Sequence, residues 1–264
     1  MTQYSMHAKP ASHPTHSSQM RSVRFWFTTL LVLCAVAVMI RLGIWQLDRL
    51  EQRRAFNARV QAQLDQPALV LDALTLKENL YEMEYRSVIV QGVYDFENQV
   101  AIRNQAYQNR WGVYLLTPLK IKGADQSIMV NRGWIPGEDF LSGDWSRYDQ
   151  PGEVTVKGVV RRTQTKPDFG KRNDPIPQVG ADPIKAWNLA NIEAISHQIN
   201  YPIVQKVYVQ QIEGEGAAAN LPVPAVLELD LSEGPHLGYA LQWFTFAAIL
   251  GIGYPFFLRR RLKK

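Results

Sequence analysis

A chain of 264 residues with 46% hydrophobic and 11% aromatic side chains has the composition of a folded protein, not of a disordered polymer. Its net charge of +5 does not mark a nucleic-acid binder, because the excess cations gather at the edges of two apolar runs. The single cysteine, Cys34, lies inside the first run, which excludes a disulfide and a thiolate metal site from the rest of the chain.

Residues 1–20 are rich in Ser, Thr, His and Pro without an apolar period, and read as a disordered tail in which His7, His13 and His16 are solvated. An apolar run follows at 25–40 and reaches Trp45 if Arg41 is tolerated, so 21–47 reads as a transmembrane helix. Arg21 and Arg24 ahead of an apolar core would also suit a signal peptide. The run ends, however, in Arg41 and the bulky LGIWQL, with no small-residue cleavage site at the junction, and this points to an uncleaved anchor. The next stretch, DRLEQRRAFNARVQAQL, has strong helix formers and no Gly or Pro, so the helix is expected to continue until near Pro67.

The centre of the chain reads as β. Residues 85–95, 98–105, 111–121, 126–136, 153–163 and 203–212 are rich in β-branched and aromatic side chains. In 153–163, Val154 and Val156 alternate with Glu153, Thr155 and Lys157 as in a half-buried strand. Turns containing Gly and Asn join these strands and predict an antiparallel sheet or partly closed barrel. One helix is expected at 189–199, with Leu189, Ile192, Ile195 and Ile199 on one face. The stretches 166–183 and 214–226 read as an exposed Pro-rich loop and a tether.

The second apolar run, 237–258, is long enough as a helix to cross about 33 Å. Glu228, Asp230 and Glu233 precede it and RRRLKK follows it, so its C-terminus is expected on the cytoplasmic side. Two spans then put both termini there and the intervening domain outside. The resulting layout is a tail at 1–20, a span at 21–47, a periplasmic or intermembrane-space β-rich domain at 48–235, a span at 236–258 and a basic tail at 259–264. The fold class is an α+β membrane protein, two transmembrane helices flanking an extracytoplasmic antiparallel β-rich domain with a short helix.

Catalytic signatures are missing. There is no phosphate-binding glycine loop, nucleophile elbow, H-E-x-x-H or C-x-x-C. His197 reads as a surface histidine. His236 differs, because Pro235 before it suits the start of a helix. An imidazole there is either a ligand for the iron of a flat amphiphile such as haem or an interfacial polar residue marking the water boundary. Leu237, Tyr239, Ala240 and Trp243 would surround such a ring, and Arg41 or Arg49 would meet its propionates. Trp45 and Trp243 also suit the aromatic belts of a membrane. Gln46 and Gln242 are costly in hydrocarbon unless paired, and are expected to face each other between packed helices. Arg41, one turn inside Trp45, would snorkel outward or hold an anion, and Gly43 would permit close approach of a helix or a ligand. In MVNRGWIP, Arg132 and Trp134 suit binding or packing, with Gly133 marking a bend or bulge.

LGIWQLDRL after a first span, NRWGVYLLTPL, MVNRGWIP and HLGYALQWFTFA opening a second span resemble the surfeit-locus-one family of cytochrome c oxidase assembly factors. The likeness covers both apolar helices and most of the domain between them, in order. It implies two membrane spans around a periplasmic or intermembrane-space domain, and the tail and charge pattern add a bacterial inner membrane with its lipid, both termini cytoplasmic and no nucleic acid. Its implied role is haem a insertion or retention in oxidase subunit I. The implied partners are that subunit and the proteins of haem a synthesis and assembly. It places the family's histidine on His236, as candidate ligand of haem iron, its Gly-x-Trp-Gln element on Gly43, Trp45 and Gln46, and its Arg-Gly-Trp on Arg132, Gly133 and Trp134. A lysine often found after the first motif is replaced by Arg53 or Arg54. A scaffold without cofactor and a membrane-anchored periplasmic enzyme are the competing expectations.

Overall fold

Two long helices and one curled sheet account for nearly all regular structure in the computed structural model, which describes residues 23–167, 174–177, 182–212, 221–225, 227 and 229–262. The tail 1–20 and most of 166–183 and 214–226 lie outside the described residues, and so do the readings made for them. The chain divides into two compact units, 1–57 with 231–264, and 58–230.

In the first unit, α1 (Val23–Leu64) runs unbroken for 42 residues. At 1.5 Å per residue that is about 63 Å, roughly twice the thickness of a bilayer's hydrocarbon. The helix-forming stretch after LGIWQL therefore does extend α1, up to three residues before Pro67. The other long helix, α4 (His236–Leu262), contains Pro255. Both are long and apolar enough to cross a membrane, and only 6% of each apolar window is buried. A core helix of a soluble protein would be mostly covered. Here Trp26, Phe27, Ile249 and Phe256 point outward. The two helices touch in antiparallel order. Thr29 Oγ1 meets Tyr254 Oη at 2.8 Å near one end, and Asn57 Nδ2 donates to Leu231 O at 2.6 Å near the other.

The second unit is built on eight strands: β1 (Leu69–Leu71), β2 (Ser87–Tyr94), β3 (Val100–Tyr107), β4 (Arg110–Ile121), β5 (Ser127–Pro136), β6 (Glu153–Arg162), β7 (Ala186–Trp187) and β8 (Val207–Gln211). Their order is β1-β2-β6-β8-β5-β4-β3-β7, and an extra β2–β4 pairing closes five of them into a ring. The six predicted strands are all present. The expectation of an antiparallel sheet needs correction, because β1–β2, β3–β7 and β5–β8 pair in parallel. Hairpins force antiparallel pairing only between strands joined by short turns. The chain between β5 and β8 is long enough to return to the same end of the sheet.

Inside the ring lie Val88, Val90, Leu119, Ile128, Val130 and Val209. A second core forms around Trp187 with Ile192, Ile195 and Ile199. The helix expected at 189–199 is shorter, α3 (Ile192–Ser196), and starts where the Asn191 side chain accepts from Ala194 N. Leu189, Ile192, Ile195 and Ile199 are nonetheless all buried. His197 is exposed. A short helix after β5, α2 (Gly137–Ser142), and the two- and three-residue strands β7 and β1 were not foreseen.

Candidate functional site

The first residues of α4 set the site. Gly234 takes a left-handed turn (φ +68), which glycine adopts without strain, and Pro235 follows. The first helical bond runs from Tyr239 N to Pro235 O at 3.1 Å, leaving His236 in the opening turn. There His236 Nδ1 donates to Gln46 Oε1 across 2.9 Å. A carbonyl oxygen only accepts, so a proton sits on Nδ1, and in the neutral ring the lone pair falls on Nε2. Nε2 makes no hydrogen bond among the described residues. Metal-binding histidines are commonly held this way, one nitrogen donating to an oxygen while the other faces the metal.

This pairing corrects the expected Gln46–Gln242 bond. Gln242 is exposed. Six residues along an α-helix turn the face by about 240°, so Gln242 points away from the line that carries His236. Similar depth in a membrane did not imply a shared face.

Gly43 is buried in the helix contact. A Cβ built on it would lie 2.6 Å from the Phe244 ring, so the missing side chain lets that ring seat against α1. Close helix approach is therefore the role the structure supports at Gly43. Ala240 and Ala247 are buried as well, and Gly251 approaches Val36. Positions 240, 244, 247, 251 and 254 follow alternating steps of four and three, the spacing of a helix seam. Small residues at such a seam allow close packing in lipid. That spacing could have revealed Phe244, which the sequence reading passed over. Arg41 and Trp45 face outward, Trp45 with 46% of its surface exposed. Trp243 is half-buried and meets Phe246 edge-on at 6.3 Å. The structure thus pairs His236 with Gln46 and Gly43 with Phe244, and leaves Arg41, Trp45 and Gln242 outside those contacts.

Past the apolar seam the same two segments are joined by polar contacts. Arg54 donates to both oxygens of Glu233 at 2.7 and 2.8 Å, and Arg53 Nε donates to Ser232 O at 3.0 Å. The hydrogen bond from Arg54 holds the Glu233 carboxyl below its ordinary range.

Arg132, Gly133 and Trp134 belong to the β-rich unit and to its interior. Leu115 pairs with Gly133 and Leu116 with Asn131, so Arg132 is the extra residue of a β-bulge. The bulge turns its side chain inward, where it is 2% exposed. Its guanidinium donates to Gln99 Oε1 at 3.0 Å and to Tyr148 O, and lies 4.9 Å from the Tyr94 ring centre and 5.1 Å from that of Phe96. Thr117 Oγ1 donates to the same Gln99 oxygen at 2.6 Å. Burial pushes the Arg132 pKa down, yet a guanidinium keeps its proton at neutral pH. Burial also pushes the Tyr94 hydroxyl up to about 12. Gly133 has φ +126, and a Cβ there would strike Val223 O at 2.2 Å. Trp134 is 3% exposed and bridges to Val223 through its backbone. Of the two roles open for Arg132 and Trp134, packing is the one their burial supports. Gln99 and Thr117, which complete the cluster, carried no signal in the sequence.

Similarity to known proteins bears on the whole arrangement. A SURF1-like protein of Rickettsia bellii is 27% identical over 88% of this chain and 91% of its own length. Surfeit locus protein 1 of Xenopus tropicalis is 23% identical over 89% of this chain and 76% of its own. A SURF1-like protein of Caenorhabditis elegans is 23% identical over 87% and 73%. The SURF1 family model matches residues 33–248, which takes in part of each long helix, the His236–Gln46 contact and the entire β-rich unit, and the chain belongs to the SURF1 family.

Proposed function

We propose that this protein assists maturation of cytochrome c oxidase by holding or handing over haem a on its way into subunit I, with His236 as the iron ligand. Members of the SURF1 family are known in general as cytochrome oxidase assembly factors rather than enzymes, and membership carries that general role to this chain. The haem-specific step rests on one observation, the His236–Gln46 hydrogen bond that leaves Nε2 with its lone pair. No group of three His, Cys, Asp or Glu side chains suited to a metal ion occurs among the described residues. A lone imidazole suffices for haem, because the porphyrin supplies the remaining nitrogens.

Haem is cargo in this reading, and the chain's residues bind and orient it. Gln46 fixes the imidazole tautomer, Tyr239 and Trp243 offer apolar surface close to His236 in sequence, and the seam through Gly43 and Phe244 keeps the two helices in register. Arg41, exposed on α1, is available to a propionate. The apolar surface of both helices supports residence in a bacterial inner membrane, and their antiparallel contact supports both termini lying on one side, the cytoplasm by the charge of RRRLKK.

Purification of the full chain from cells that make haem a tests the reading. The wild type is expected to carry haem, His236→Ala to lose it, and Gln46→Leu to weaken retention by roughly 10–100-fold, the usual effect of removing a ligand's supporting hydrogen bond. Equal haem content in wild type and His236→Ala would remove the ligand role. Haem-free protein of both kinds, with His236→Ala still restoring oxidase in a deletion strain, would favour a scaffold that stabilises an assembly intermediate without cofactor.

A further inference from the structure

The β-rich unit holds a second candidate site, independent of the helix pair. A cavity of about 760 Å³ opens on the side of the sheet where β3, β4, β5, β6 and β8 meet residues 188–190 and 223–225. That volume lies within the range of pockets for small organic ligands. Its chemistry is one-sided. Arg103 and Arg161 line it together with six Asn and Gln side chains, three tyrosines and Trp134, and among the described residues no carboxylate lines it. Two guanidinium groups with no acid among the described lining residues favour an anion there.

The donors there are incompletely used. Arg161 Nε is buried without a hydrogen-bond partner. Its nearest carboxylate, Glu84, stands 3.8 Å away, beyond hydrogen-bond range, and Glu84 also faces Arg162 at 3.4 Å. The Arg161 guanidinium lies over the Tyr85 ring at 4.6 Å, a stacking that leaves donors in its plane. Tyr208 is 9% exposed, and its hydroxyl makes no hydrogen bond among the described residues. At the rim, the β3–β4 register shifts between Ile102 and Gln105, and Asn104 sits in the left-handed region with φ +62. This bulge interrupts the ladder at Arg103 and Asn104, and Arg103 is exposed with no ion pair among the described residues. The flat parts of the wall are the rings of Tyr114 and Tyr208.

We propose that this cavity binds an anionic organic molecule, a carboxylate or phosphate ester on a flat apolar body, with Arg161 and Arg103 receiving the anion and the aromatic walls receiving the body. A guanidinium suits both anions, since its paired donors match either one.

Calorimetric titration of the full chain in lipid nanodiscs tests this, with empty nanodiscs as blank and three probes of one shape: 2-naphthoate, 2-naphthyl phosphate and neutral 2-naphthamide. At least one anion is expected to bind about tenfold or more tightly than the amide, and the stronger of the two identifies the anionic group. Arg161→Gln is expected to reduce that affinity about tenfold. Because Arg161 also faces Glu84, the exposed Arg103→Gln serves as a second variant, expected to weaken binding several-fold with an unchanged melting temperature. Equal binding of amide and anions, no binding of either anion, or wild-type affinity in both arginine variants would overturn the proposal.

Discussion

The two units of this protein handle a buried or half-buried polar side chain in opposite ways. In the β-rich unit Arg132 is covered on every side, with two carbonyl oxygens as acceptors and two aromatic rings against its faces. In the helix pair, His236 has one partner, Gln46, and one ring nitrogen left over. A buried charge held by two acceptors and two ring faces is a structural device, since leaving it unpaired would cost several kcal/mol. A half-buried imidazole with an unused lone pair is available for chemistry. The motif residues of this chain therefore separate by what their polar atoms still lack, not by how conspicuous they are in the sequence.

The largest expected effect breaks the satisfied cluster. Arg132→Leu removes the side-chain donor of the Tyr148 carbonyl and one of the two donors of Gln99 Oε1 in a dry interior, and should lower stability by about 3 kcal/mol or more. Thermal unfolding of the full chain, followed by the β signal in circular dichroism, measures it. Wild-type stability would mean that the cluster is not the support described. Arg132→Lys should recover little of the loss, because one ammonium cannot replace the fork that reaches both oxygens.

A smaller loss is expected at the seam. Gly43→Val drives a side chain into the Phe244 ring and should cost about 1–3 kcal/mol of helix-pair stability. Its partner test is Phe244→Ala in the same chain, which should restore part of the loss by vacating that space. Additive losses in the double variant would place the Gly43 contact elsewhere.

The smallest effect is a pH dependence confined to the β-rich unit. Burial pushes the Asp95 carboxyl up. Hydrogen bonds from Tyr201 (2.5 Å) and Asn98 (3.0 Å), with Lys120 at 3.7 Å, outweigh it and leave the pKa below the ordinary value. A carboxyl with a lower pKa folded than unfolded stabilises the fold above its unfolded pKa, and that stability is lost as pH falls through the folded value. Acid unfolding below about pH 4 should therefore be shallower in Asp95→Asn, which should also lose about 1–2 kcal/mol at neutral pH. An unchanged acid limb would remove Asp95 from the account.

Much of the fold was legible. The predicted strands were recognised from β-branched runs, and α1 and α4 from uninterrupted apolar or helix-forming stretches. Short elements escaped, because the three residues of β1 and two of β7 are too few to show a period. The parallel pairing of β5 with β8 escaped for another reason, that it joins segments far apart in the chain. At the site, the residues around His236 left it either a haem ligand or an interfacial polar residue, and did not reveal its partner. Gln46 and Gln242 look equivalent in sequence, and only the angle around each helix decides which one meets the other helix.

What the sequence determined by itself is local. It set where the chain is apolar enough for membrane helices, where it alternates into strands, and where Gly234 and Pro235 start α4. These depend on side-chain type and spacing along a few turns or a few residues. The tertiary structure alone decided that an arginine would lie in the interior, that Gln46 would meet His236, and that two arginines would line one cavity. Burial, hydrogen-bond partnership and electrostatic surroundings are properties of side chains brought together from distant parts of the chain, and no single stretch contains them.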